Sequence, residues 1–296
     1  MTSVARETFG RIGIWSGALH ASRVDDAGKA AIAEAAVELE ELGYGTLWMG
    51  GSPSPDDAVA LVAATRAVTV ATGILSIWEH GAGEVAARIA GAGESARGRL
   101  VLGLGVSHDK LAPQYAKPYS AMVEYLDALD RAVPPVGGAQ RILAALGPKM
   151  LRLAADRSLG AHPYLVTAEH TAEAREALGP DALLAPELSV VLDPDLDRAR
   201  ATARGMLEQY FQLPNYTNNL LRLGFTEDDF ADGGSARLLD ALFALGDADR
   251  VRARAGEYFD AGADHVAFQV LTASGGRSGL PLAAWRELAS VFADQL

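Results

Sequence analysis

Two segments carry glycines, hydroxyls and a histidine at the ends of apolar runs: 68–78 (VTVATGILSIW) and 99–110 (RLVLGLGVSHDK). Each reads as a buried strand with a polar tip, and a parallel barrel draws its active-site groups from such C-terminal strand ends. His108 closes the second segment. An imidazole titrates near neutrality, so His108 is the first candidate acid or base. His80, just past the first segment, and His20, in the loop after an earlier strand, are lesser candidates. His162 and His265 read as strand starts, on the stability face. Gly103 and Gly105 do not form a dinucleotide fingerprint, because the third glycine would fall at His108 and no acidic residue follows at the usual distance. They either let a flat ring lie on the main chain or relieve crowding inside a barrel. Gly73 admits the same two readings, close backbone approach or a tolerated weak spot in a core strand. At Leu146-Gly147-Pro148-Lys149 a strand end runs into a helix with Pro near its first turn. The free amides of that start can hold a phosphate, although plain capping is the commoner role. Trp15, Trp48 and Trp78 fall near strand ends, where they either wall a planar pocket or simply pack.

Other chemistries find no residues. The chain has no Cys, which removes disulfides and thiolate nucleophiles. No histidine pair has the spacing of a metal site, and the GxSxG elbow is absent. Asp25-Asp26, Asp56-Asp57 and Asp228-Asp229 read as helix-start or loop charges.

Regular elements must place these residues. Short β-rich runs at 11–15, 45–49, 68–75, 100–104, 141–146, 162–166, 183–192 and 265–271 alternate with amphipathic helical runs. In 25–42, for example, Ile32, Ala36 and Leu39 recur at helical spacing and Gly43 ends the run. Eight strand–helix units imply parallel crossovers, hence an α/β chain forming one (β/α)₈ TIM barrel over 1–296. Residues 211–234 read as an irregular insertion between strands seven and eight, of the kind that forms lids or dimer contacts.

The formal net charge of -12 argues against nonspecific nucleic-acid binding, which depends on neutralising phosphates. Basic residues are mostly Arg, with Lys only at 29, 110, 117 and 149. The start of the chain lacks an apolar leader and no apolar run is long enough to cross a bilayer, so the expectation is a cytoplasmic protein without a membrane anchor.

The chain resembles the luciferase-like monooxygenase superfamily, in its coenzyme F420-dependent branch. The segments ELGYGTLWMGG (41–51), TVATGILSIW (69–78), RLVLGLGVSH (99–108), LAALGPKMLRLAA (143–155) and LPNYTNNLLRLGFTEDD (213–229) carry the resemblance, which extends from 10 to 271. It implies a TIM barrel, a homodimer, and F420 as cofactor, with FMN as the alternative. It also implies a strand-three bulge with a non-proline cis peptide at Gly73-Ile74 behind the deazaflavin ring. Ser76 would approach the ring's polar edge, and Gly105, Val106 and Ser107 would lie beside it. Leu146, Gly147 and Pro148 would meet the cofactor tail. His108 falls where the sugar-phosphate dehydrogenase branch has an acidic proton donor. One departure is clear. Many members end strand two with an acid or His facing the ring, and this chain has Met49-Gly50-Gly51-Ser52 there. Sugar-phosphate dehydrogenation is therefore not carried over. The activities implied are hydride transfer to or from a small C=C, C=N or C=O/alcohol substrate, FMN-dependent monooxygenation, or cofactor binding without turnover.

Overall fold

The computed structural model describes residues 7–93, 96, 98–108, 110, 112, 115–273 and 279–296. Residues 1–6, part of the start read as lacking a leader, lie outside them. The order is β1 (Ile12–Ser16), α1 (Asp26–Glu41), β2 (Thr46–Gly50), α2 (Pro55–Ala64), β3 (Thr69–Gly73), β4 (Leu75–Ser76), α3 (Ala82–Gly91), β5 (Leu100–Gly105), α4 (Pro118–Arg131) and β6 (Arg141–Leu143). There follow α5 (Pro148–Arg157), β7 (Gly160–Ala161), α6 (Ala168–Leu178), β8 (Leu183–Leu184), β9 (Glu187–Leu192), α7 (Leu196–Tyr210) and α8 (Pro214–Arg222). The chain ends with α9 (Ala236–Leu242), β10 (Phe243–Gly246), α10 (Ala248–Asp260), β11 (Val266–Val270) and α11 (Leu282–Val291).

All described strand pairings are parallel, along the path β10-β9-β11-β1-β2-β3-β5-β6-β7-β8, with β4 also on β5. The run 183–192 holds both β8, at one end of that path, and β9, beside β10 at the other, and so closes the sheet. Its first residues pair with β7, and its later ones pair with β11. The result is the TIM-barrel-like α/β fold expected from the sequence.

Local chemistry sets the helix ends. The Asp25 carboxylate caps α1 at the Gly28 amide, and Ser54 and Asp57 form a capping box at α2. Pro118 and Pro148 start α4 and α5, where a missing N–H costs nothing. Alternation along the strands then divides the core. Ile14, Leu47, Met49 and Val70 pack in one core cluster with helix residues such as Leu39 and Leu61. Trp15, Trp48, Ala71, Val101, Ile142, Leu183, Ala185 and Ala267 instead form one cluster drawn from successive strands, which is the barrel interior.

Several sequence expectations shift. Strand six was expected at 162–166, but β7 covers only Gly160–Ala161, so His162 follows the strand end rather than starting it. The cause is its partner: Ala161 must pair with Leu143, whose strand also ends early. The stretch 211–234 contains α8 and a 3-10 segment, Glu227–Gly233, rather than irregular chain. Residues 243–246 (FALG), not expected as a strand, form β10 against β9. A run this short has too little periodicity to separate strand from helix until its partner is known.

Candidate functional site

The upper interior layer of the barrel is asymmetric. Alternation brings Gly50, Gly73, Gly105 and Ala144 to one part of it and His162, Glu187 and Gln269 to another. On the glycine side Trp15 and Ile74 cover the strand ends, while the other wall is polar.

Trp15 spans the glycine side. Its indole Nε1 donates to the Gly73 carbonyl at 3.0 Å. A Cβ on Gly50 would lie 2.2 Å from the indole ring, and one on Gly73 would lie 2.6 Å from Nε1. The absent strand-two acid thus has a steric cause: Trp15 occupies the space a side chain at 50 would need. The strand-one loop covers the same strand end. His20 Nε2 bonds the Gly50 carbonyl, and Arg23 donates to the Gly51 carbonyl at 2.8 Å. His20 is buried, and desolvation lowers its pKa. A neutral ring bonded to a carbonyl carries its proton on Nε2, so His20 serves as a clamp on Gly50.

The segments 68–78 and 99–110 meet through the pairing of β4 with β5. The Gly73-Ile74 peptide is cis. Ile74 fills the space beside Gly105, where a Cβ would lie 2.6 Å from its Cδ1. The amide of the buried Ser76 donates to Ser52 Oγ at 3.1 Å. Trp78 Nε1 donates to the Val106 carbonyl and ties the β4 and β5 loops together. Ser107 has a left-handed φ of 55°. Gly103 separates from Gly105, because its Cβ would fall 1.8 Å from the Thr72 carbonyl oxygen. It is a packing glycine inside the barrel.

At the tail turn, the Leu146 carbonyl bonds Nε2 of the buried His170 at 2.9 Å. A Cβ on Gly147 would meet nothing within 4 Å, and no side chain caps α5. The backbone amides of this open helix start suit a phosphate.

His108 sits at the rim. Asn215 Nδ2 bonds its Nδ1 at 3.1 Å, and its ring lies 5.1 Å from that of Tyr216. Both partners belong to α8, so the 211–234 stretch reaches the mouth. Since Asn215 donates, the neutral imidazole carries its proton on Nε2. His80 is not drawn into this group; its backbone carbonyl accepts from Tyr125 on α4.

Sequence reasoning missed the polar wall. The Tyr164 hydroxyl bonds that of Tyr210 at 2.9 Å and donates to Gln269 Oε1 at 2.8 Å, while its ring lies 5.2 Å from Trp15. The single Tyr164 proton goes to Gln269, so Tyr210 donates to Tyr164. Burial holds the Tyr164 and Tyr216 hydroxyls well above their usual pKa. Glu187 is 2% exposed, and burial pushes its carboxyl up to about 7. His162 stacks on Trp48 at 4.1 Å and donates from Nδ1 to the Ala185 carbonyl. Burial takes its pKa down to about 4, so it is neutral inside the barrel and not part of a stability face. One signal for Glu187 was available, a lone carboxylate inside the apolar run LLAPELSVVL. The tyrosines come from distant helices and loops and gave none.

Among the described residues no His/Asp/Glu group could hold a metal, and no helix is long and apolar enough to cross a membrane. No curated protein matches the sequence. Solved structures match across almost the whole chain. An F420-dependent secondary alcohol dehydrogenase in complex with an F420-acetone adduct is 14% identical with a TM-score of 0.70, over 97% of this chain and 99% of that one. The coenzyme F420-dependent tetrahydromethanopterin reductase of Methanopyrus kandleri is 14% identical with a TM-score of 0.69, over 96% and 99%. The oxygenating constituent of 3,6-diketocamphane monooxygenase from Pseudomonas putida, in complex with FMN, is 14% identical with a TM-score of 0.68, over 97% of both. At these identities the likeness shows the fold. The family model for luciferase-like monooxygenases matches residues 11–265, and the chain therefore belongs to that family of enzymes.

Proposed function

We propose that the protein is an F420-dependent oxidoreductase, a cytoplasmic homodimer that moves hydride between the deazaflavin and a small C=C, C=N or C=O/alcohol substrate. The observation that carries this reading is the open start of α5 at Gly147, where a Cβ would meet nothing within 4 Å and no side chain caps the helix, at the same barrel end as the polar wall. When bound, F420 supplies or accepts the hydride; the protein orients the ring and manages the proton. Gly73, Ile74 and Ser76 line one side of the ring, and Gly105, Val106 and Ser107 lie along another. Leu146, Gly147 and Pro148 shape the tail turn, where the start of α5 faces the phosphate. In reduction His108 as the imidazolium gives its Nε2 proton to the substrate heteroatom and is left neutral, and in oxidation the neutral ring takes it back at Nε2, with the Asn215 amide turned so that its Oδ1 accepts from Nδ1–H.

FMN-dependent monooxygenation is the second reading, favoured by the FMN-bound structure of the same fold. Against it, Lys149, the cationic residue next to Gly147-Pro148 in the tail turn, is exposed. Titration with each cofactor, read by fluorescence, decides between them. Micromolar F420 affinity with no FMN binding is expected, and the reverse result overturns the F420 reading. Binding of F420 without turnover on enones, imines and alcohols would leave a non-catalytic binding barrel.

His108→Ala is expected to leave F420 affinity within about threefold and to lower turnover roughly 100-fold or more. Unchanged turnover removes His108 from the mechanism.

A further inference from the structure

Glu187 has no role in the chemistry above, yet its surroundings are unusual for a carboxyl. It is 2% exposed on the inner face of β9. Its two hydrogen-bond partners are neutral: Ser189 Oγ donates to Oε1 at 2.6 Å, and the Leu165 amide donates to Oε2 at 3.2 Å. The titratable groups that feel its charge are Tyr164 after β7, Tyr216 on α8 and Tyr258 on α10, all phenols that burial keeps neutral. His162, whose backbone flanks the Ala161 and Pro163 carbonyls that pair with this strand, is neutral as well. Gln269 of β11 carries no charge. Among the described residues no cation compensates the carboxylate, although the group lies in the layer that forms the polar wall. A buried carboxyl without a cation responds strongly to any new charge nearby.

We propose that occupancy of the barrel mouth and protonation of Glu187 are one coupled equilibrium: a ligand that brings negative charge to the polar wall binds with proton uptake, and Glu187 holds that proton. The coupling rests on the reading that a flavin-like ring enters this mouth, and it adds to it the group that neutralises an anionic ring or substrate oxygen. Reciprocity then requires anionic ligands to bind more weakly as pH rises through the range in which Glu187 ionises. A cationic ligand would show the opposite sign.

Calorimetric titration with F420, in buffers of different ionisation enthalpy, measures the uptake. The ionisation state of the F420 ring itself is followed by its absorbance. Roughly half a proton per site is expected near pH 7–8 for the native chain, and close to none for Glu187→Gln. Ser189→Ala removes a hydrogen bond to the carboxylate, so its half-maximal uptake should move to higher pH. That variant keeps the test decisive if Glu187→Gln folds poorly. Binding of F420 with the same uptake in Glu187→Gln, or with an unmoved profile in Ser189→Ala, overturns the coupling alone. Failure of F420 to bind the native chain overturns the cofactor reading and the coupling with it.

Discussion

Gly103→Ala lowers the melting temperature by roughly 6–12 °C, corresponding to about 3 kcal/mol. The new methyl carbon would stand 1.8 Å from the Thr72 carbonyl oxygen, well inside van der Waals contact. That oxygen belongs to the backbone of the neighbouring strand, so no rotamer change relieves the clash. The same pair of residues is already locked, because Thr72 Oγ1 donates to the Gly103 carbonyl at 2.7 Å. Relief requires the β3 and β5 strands to separate, which breaks ladder bonds and opens the packed interior. Gly147→Ala is the control: its methyl would meet nothing within 4 Å, and melting should stay within about 2 °C of the native chain. Thermal unfolding of both variants by circular dichroism checks the contrast. Equal melting temperatures would return Gly103 to the ligand-contact reading.

Glu187→Gln stabilises the fold at pH 8 by about 3 kcal/mol and has little effect below about pH 4. The folded-state pKa of Glu187 is raised from 4.5 to about 7 by burial. The folded protein therefore holds a proton between those values that the unfolded chain has released. Stability falls as pH rises through that window, and the loss is complete above about 7. Glutamine keeps the shape and the acceptor oxygen without the charge, so it avoids that loss. Denaturant unfolding at pH 4, 6 and 8 measures the difference between the two proteins. A constant difference across the three pH values would mean that Glu187 keeps its proton, or its charge, throughout.

The strand-end pairing of 68–78 with 99–110 was legible along the chain, because apolar runs that end in Gly and Ser and flank a helical stretch suit adjacent parallel strands. The α1 cap at Asp25 and the α2 start at Ser54 were near the expected boundaries, because a cap is a local hydrogen bond. The weak points were short segments. β7 and β10 each hold a few residues and owe their existence to a partner strand. His162 moved from a strand start to the barrel interior once β7 ended at Ala161.

The missing strand-two acid shows the difference most clearly. As sequence, Gly50-Gly51 is only a blank opposite the candidate ring site. In the fold, the indole of Trp15, from the preceding strand, fills the volume a side chain at 50 would take. Gly103 and Gly105 look alike in LGLGV, yet one faces a carbonyl oxygen and the other faces Ile74. The carboxyl of Glu187 was visible only as an oddity in an apolar run.

The sequence by itself determined the alternation of strands and helices, the family, and the strand-end positions of the glycine-bearing segments. These follow from local periodicity and from motifs that lie within single strand–loop units. Only the tertiary structure decided what each glycine faces. It also assembled Trp15, Tyr164, Tyr210, Tyr216, Glu187 and Gln269 into one wall. Those contacts join side chains from separate turns of the barrel. Their energies depend on distance in space, which spacing along the chain does not encode.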